Sequence, residues 1–84
     1  MPHVVVKLWP GKSDDQKRRL TDAIVRGVTD TLGYGEDAVS IGLEEVPPAD
    51  WTARVYQPDI LAKWPSLTKQ PGYGERPPAR KDAR

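Results

Sequence analysis

The sequence predicts an α+β fold: one β-α-β unit with parallel strands, followed by a short C-terminal helix. Three stretches carry that expectation. Val4, Val5, Val6 and Leu8 make a β-branched, apolar run that reads as a short buried strand. Ser13, Asp14, Asp15 and Gln16 open a long amphipathic segment with a capping-box pattern. Beyond it, Val39, Ile41 and Leu43 alternate with small or polar residues, the signature of a second strand. A strand-helix-strand run of this length is a crossover unit with parallel strands and a right-handed connection. Two strands and one helix leave the far sheet face bare, so a partner is expected.

Size and composition narrow the functional classes. The chain has 84 residues, and a chain this short buries only about 60 to 65 % of its unfolded surface, so it gains from oligomerisation. With no cysteine there is no disulfide framework, thiolate metal site or cysteine nucleophile. His3 is the single histidine, and no carboxylate cluster at ligand spacing accompanies it, so no metal site is expected. None of the serines stands in a nucleophile-elbow setting. A net charge of +1, from 13 basic and 12 acidic residues, offers no basic field for nucleic acid. No apolar run is long enough to cross a bilayer and no signal-peptide core opens the chain, which makes a cytoplasmic protein without a membrane partner the expectation.

Each element has its own local reasons. The first strand closes at Trp9-Pro10-Gly11, a turn signal, and Lys12 leads into the cap at Ser13. Acidic Asp14 and Asp15 complement the helix dipole. Leu20, Ala23, Ile24, Val28 and Leu32 form the expected apolar stripe, with Lys17, Arg18, Asp22, Arg26 and Asp30 on a solvated face. Gly33 stands where a C-terminal cap glycine belongs. The second strand is expected within residues 38 to 46, with Val39, Ile41 and Leu43 toward the helix. Gly42 in its middle either weakens the strand or lets a ligand or another chain approach. Pro47 and Pro48 end it, and Trp51 is either a core or interface residue or the wall of a pocket. A short helix is expected at residues 57 to 64, with Pro58 in its first turn and Pro65 ending it. Pro71-Gly72-Tyr73 is a segment that could dock, and residues 74 to 84, rich in proline, glycine and charge, read as a disordered tail beyond a domain spanning 2 to 73.

Pro2 is the candidate for chemistry. Removal of Met1 is expected when proline follows it, and the new N-terminus is then a secondary amine. Anchored by a strand that starts at once, such an amine can be held in a pocket. Its ordinary pKa lies above that of a primary α-amino group, itself about 7.7 to 8.0. Desolvation or a nearby cation lowers it toward the range of a useful base. Taken alone, Pro2 reads first as a second residue that merely suits processing.

The order of Pro2 opening a strand, Trp9-Pro10-Gly11-Lys12-Ser13-Asp14-Asp15-Gln16-Lys17 at the start of the helix, Val39-Ser40-Ile41-Gly42-Leu43-Glu44-Glu45 and then Trp51 resembles the 4-oxalocrotonate tautomerase family. The length beyond the second strand and the run Lys69-Gln70-Pro71-Gly72-Tyr73 look more specifically like the PptA-type bacterial tautomerases. The resemblance covers roughly residues 2 to 73 and reverses the balance on Pro2. It implies that two β-α-β units pair into a four-stranded sheet with helices on one face, and that the chain is an isomerase. The implied reaction is a cofactor-independent keto-enol tautomerisation of a 2-hydroxydienoate or enolpyruvate-type acid, with Pro2 as general acid and base. It further implies a homo-oligomer, and the PptA likeness favours a dimer over a hexamer.

The resemblance assigns substrate-binding roles to Lys12, Ser40 and Trp51. Where the family holds the substrate carboxylate with an arginine near the start of the helix, this sequence has Lys12, which attracts an anion as a point charge without a bidentate fork. Where the family polarises the carbonyl with an arginine on the second strand, it has Ser40, a single uncharged donor, unless another cation such as Arg54 reaches the site. Lys12 also reads as a solvated residue and Ser40 as a plain strand residue. Trp51 matches the aromatic wall of the family's pocket. Fewer cations and an apolar wall point to a hydrophobic or aromatic enol acid in place of a dicarboxylate. His3 points opposite to Pro2 and reads as surface or interface. Two other classes stand beside this reading: dehalogenation, hydration or decarboxylation on the same scaffold, which assays of 3-haloacrylate hydrolysis against ketonisation separate, and a non-enzymatic oligomeric module, which a retained Met1 would favour.

Overall fold

The computed structural model describes residues 1–74, in two compact units, Met1–Pro47 and the residues from Pro48 onward. The expected tail lies outside the described residues apart from Gly74.

The first unit is the β-α-β unit. Strand β1 (His3–Leu8) and strand β2 (Ser40–Glu45) pair in parallel, with His3 opposite Ser40, Val5 opposite Gly42 and Leu8 opposite Glu45. Helix α1 (Asp14–Leu32) connects them. Its start is the expected capping box: the Gln16 N–H donates to the Ser13 hydroxyl at 3.1 Å and the Ser13 N–H to the Gln16 side-chain oxygen at 2.9 Å. Two of the amides that a helix start leaves without partners are thereby satisfied. At the other end Gly33 takes φ 78°, and its N–H donates to the Thr29 carbonyl. That left-handed cap suits a residue without a β-carbon.

Several details depart from the sequence reading. Strand β1 is not buried throughout: side chains alternate, and Val5 is 50 % exposed while Val4 and Val6 are half-buried. The apolar stripe of α1 is rotated from the one expected. Leu20, Ala23 and Leu32 are exposed, and the half-buried positions are Lys17, Thr21, Ile24, Val25, Val28 and Thr29. Lys17 belongs to the covered face: its ammonium meets the Glu45 carboxylate at 2.5 Å. That ion pair also fixes which sheet face α1 covers. Glu45 shares its face with Ile41 and Leu43, and in register with Val4, Val6 and Leu8. The opposite face carries His3, Val5 and Lys7 beside Ser40, Gly42 and Glu44. Residues Glu36–Ala38 form a 3₁₀ turn, so β2 begins later than expected and Val39 precedes it. Arg18 does lie on the solvated face, and both it and Arg19 are paired with Asp15.

In the second unit, a helix starts earlier than the expected residue 57. Helix α2 (Pro48–Trp51) continues as a wider helix over Thr52–Leu61, then a 3₁₀ turn at Trp64–Ser66. Pro48 sits in the first turn, where a missing N–H costs nothing. Pro58 falls inside the helix, where it lacks an N–H and its ring crowds the preceding turn. The helix accommodates it by widening, with the Ala62 N–H donating to the Gln57 carbonyl five residues back at 3.0 Å. Val55 and Tyr56 are buried in this unit.

Candidate active site

Pro2 immediately precedes β1 and is half-buried, whereas Met1 is 92 % exposed. The Ser40 N–H donates to the Pro2 carbonyl at 3.2 Å, extending the β1–β2 ladder by one bond. Position 2 is therefore fixed by sheet geometry in place of fraying as a terminus. At the other end of the ladder the Val46 N–H donates to the Leu8 carbonyl at 2.8 Å, and Val46 is fully buried.

Among the other expected site residues of this unit, the structure brings Ser40 to Pro2. Its hydroxyl lies 2.6 Å from the His3 ring nitrogen Nδ1, and both residues are exposed. His3 is thus more than a surface residue: it is tied to a candidate substrate-binding group. The contact comes from strand register, which sets His3 opposite Ser40, and no local spacing in the sequence announces it. Lys12 is exposed in the loop between β1 and the Ser13 cap. A cavity of 370 Å³ opens along α1, lined by Asp22, Val25, Arg26, Thr29, Glu36 and Val39, and none of these candidates is part of its lining. Lys17, held by its hydrogen bond to Glu45, has its pKa raised above the ordinary 10.5. Among the described residues no group of histidines, cysteines and carboxylates could hold a metal ion, and no helix is long and apolar enough to cross a membrane.

Trp51, in the second unit, is held by an aromatic cluster. Its indole Nε1–H donates to the Tyr73 hydroxyl at 3.1 Å, and the Tyr56 hydroxyl donates to the Tyr73 carbonyl at 3.4 Å. The two tyrosine rings lie 5.6 Å apart at 41°. The Pro71-Gly72-Tyr73 segment docks within its own unit, as its composition suggested. Arg54, considered as a substitute cation, lies 3.7 Å from Asp50 one helical turn away.

A strand fixed at its first residue, a capped crossover helix and a parallel second strand can be compared with known families. The family model described as tautomerase enzyme matches residues 2–56, a span that starts at Pro2 itself. The chain belongs to the tautomerase family. Tautomerase relatives agree over nearly the whole chain. A probable tautomerase of Xylella fastidiosa is 43 % identical over 75 residues, covering 89 % of this chain and 92 % of the relative. Tautomerase PptA of Klebsiella pneumoniae is 39 % identical over 74 residues, covering 87 % and 97 %. Among solved structures, TomN, a 4-oxalocrotonate tautomerase homologue in the tomaymycin biosynthetic pathway, superposes with a TM-score of 0.58 at 34 % identity, covering 60 % of this chain and 77 % of its own. An isozyme of 4-oxalocrotonate tautomerase from Methylibium petroleiphilum gives 0.54 at 33 %, covering 55 % and 72 %. The tautomerase fold expected from the sequence is therefore present, and the protein is an isomerase of the tautomerase class.

Proposed function

We propose that this tautomerase interconverts the enol and keto forms of a hydrophobic or aromatic enolpyruvate-type acid, with the Pro2 nitrogen, freed by loss of Met1, as the proton carrier. The observation that carries the reading is the anchoring of Pro2 at the head of β1 by the Ser40 N–H, at the residue where the family match begins. The exposure of Met1 favours access for an aminopeptidase.

The chemistry needs one group that is base and then acid. The neutral amine takes the enol hydroxyl proton as the C–O bond becomes a carbonyl, and the prolinium returns a proton to the adjacent carbon as the C=C pair closes on it. Protons balance, electrons stay within the substrate, and the reaction as written needs no cofactor. Lys12 supplies a positive charge for the carboxylate and Ser40 a hydroxyl donor for the developing oxyanion.

A second copy of the chain completes the site and the sheet, as a dimer. Supporting this, the sheet of the described residues has two strands, and its helix-covered side chains Val4, Val6, Ile41 and Leu43 are only half-buried. Buried hydrophobics among the described residues are confined to Val46, Val55 and Tyr56. So little burial is what a small unit shows when further apolar contact awaits a partner.

Substrate comparison tests the reading. Mature protein, its N-terminus verified by intact mass, is expected to ketonise phenylenolpyruvate faster than a muconate-type diacid. Faster turnover of the diacid would remove the basis for an aromatic substrate, and a retained Met1 in active protein would remove the role of Pro2.

A further inference from the structure

Ser40 has two attachments in the structure. Its backbone N–H is bound to the Pro2 carbonyl, and its hydroxyl is 2.6 Å from the Nδ1 of His3, the chain's single histidine. His3 and Ser40 are the first residues of their strands and stand opposite each other in the parallel register, on the sheet face that α1 does not cover. The next register position on that face is Val5 opposite Gly42, and a β-carbon built on Gly42 meets nothing within 4 Å. The pair therefore borders an open strip of sheet beside the anchored Pro2.

We propose that His3 is a positioning residue for the tautomerase reaction: its Nδ1–H holds the Ser40 oxygen, so that the Ser40 hydroxyl hydrogen turns outward to an oxygen of the enol acid. The inference rests on the reading that the substrate lies beside Pro2.

The argument is one of donors and acceptors. A serine hydroxyl has one hydrogen and two lone pairs, and a neutral imidazole has one nitrogen of each kind. If Nδ1 is bare, Ser40 gives its hydrogen to the ring and turns only lone pairs outward. Those lone pairs repel the oxygens of an anionic acid. If Nδ1 carries a hydrogen, in the Nδ1–H tautomer or the imidazolium, the Ser40 oxygen accepts and its own hydrogen is left to donate. An enolate oxygen gaining charge during proton transfer requires that second arrangement. Substrate binding therefore selects the Nδ1–H form, and the imidazolium adds positive charge behind the donor.

Other charged groups stand along the same face and in the adjoining turn. Lys7 and Glu44 share the sheet face, Glu36 and Asp37 lie in the turn before β2, and the freed Pro2 amine is its immediate neighbour. A pH profile of wild type alone therefore mixes His3 with Pro2, and comparison with a non-titrating replacement separates them.

The experiment is a double-mutant cycle on phenylenolpyruvate ketonisation with His3→Ala, Ser40→Ala and the double variant, plus His3→Asn, each confirmed by mass to start at Pro2. His3→Ala and Ser40→Ala are each expected to lower kcat/KM on the order of ten- to a hundredfold, with the double variant no worse than Ser40→Ala alone. His3→Asn, whose side-chain amide also donates an N–H, is expected to recover most of the activity while losing the pH dependence contributed by the imidazole. Multiplicative losses in the double variant, or wild-type kinetics in either single variant, overturn the proposal. Should His3→Ala fail to fold, ¹⁵N NMR of the single imidazole in wild type decides the same point. With saturating 3-phenylpropanoate as an unreactive acid, a hydrogen on Nδ1 supports the proposal and a bare Nδ1 overturns it. Full activity in protein that retains Met1 would remove the base, a separate failure that leaves the His3–Ser40 coupling measurable.

Discussion

The two units of this chain reach order by different means. In Met1–Pro47 the backbone supplies most of the specification: a continuous parallel ladder from Pro2 to Val46, a reciprocal cap at Ser13 and a left-handed stop at Gly33. Among the described residues from Pro48 onward there is no ladder. A helix forced wide by Pro58 is held by a few side-chain contacts, Trp51 to Tyr73, Tyr56 to Tyr73 and the close approach of Gly74 to Tyr56. A unit built on many equivalent backbone bonds loses a little with each change. One built on a few specific contacts is expected to fail at single positions.

The sharpest test of that contrast is Gly74→Ala. Gly74 has φ 78°, and a β-carbon there would lie 2.6 Å from the Tyr56 ring and hydroxyl. Left-handed backbone and overpacking together make a loss of roughly 3 kcal/mol the expectation. Hydrogen exchange should show it as lost protection across Thr52–Leu61 while the β1 and β2 amides keep theirs. Equal loss in the strands would mean that the contrast between the units is wrong. Next in size is Val46→Ala, which truncates the fully buried side chain that closes the ladder. About 2 kcal/mol is expected from denaturant unfolding, the cost of removing two methyl groups and leaving a cavity.

Ser13→Ala should cost about 1 kcal/mol, since it removes one half of the capping box and leaves an amide without its partner. Its effect on the C-terminal unit's exchange is expected to be nil. The smallest effect is that of Lys17→Met. Because the hydrogen bond to Glu45 raises the Lys17 pKa above 10.5, the pair's contribution is fully present below that value and is lost as pH rises through the raised one. The stability difference between wild type and Lys17→Met should therefore be flat from neutral pH to about 10 and shrink above it. A difference that grows with alkalinity would contradict the assigned sign.

How much of this could be read from residues alone follows the same division. The capping box, the C-terminal glycine and the two strands were legible because each rests on local spacing: Ser13 to Gln16, Leu32 to Gly33, and the alternation through Leu43. The facing of α1 was less so. Leu20 and Leu32 look like core residues, yet the helix turns Lys17 and Thr21 inward beside Ile24, Val25 and Val28, a facing set by tertiary placement that hydropathy does not carry. In the C-terminal unit Pro58 reads as a first-turn residue, its usual role, and the widening that lets the helix run through it leaves no mark in the sequence. Pro2 was legible as a candidate because a proline after the initiator is a chemical fact. His3 was not, because its partner Ser40 lies 37 residues away and is supplied only by strand register.

The central claim is that the mature N-terminal nitrogen is the proton carrier, and its titration measures this directly. In protein labelled with ¹⁵N-proline, the Pro2 nitrogen should stand apart from the amide nitrogens of the other prolines, nine in all counting Pro2, as the single secondary amine. Its pKa is expected below the range of about 7.7 to 8.0 for ordinary α-amino groups, and equal to the value that governs kcat/KM for ketonisation. A nitrogen that titrates as a free solvated proline amine, or active enzyme in which position 2 is still an amide, would contradict the account.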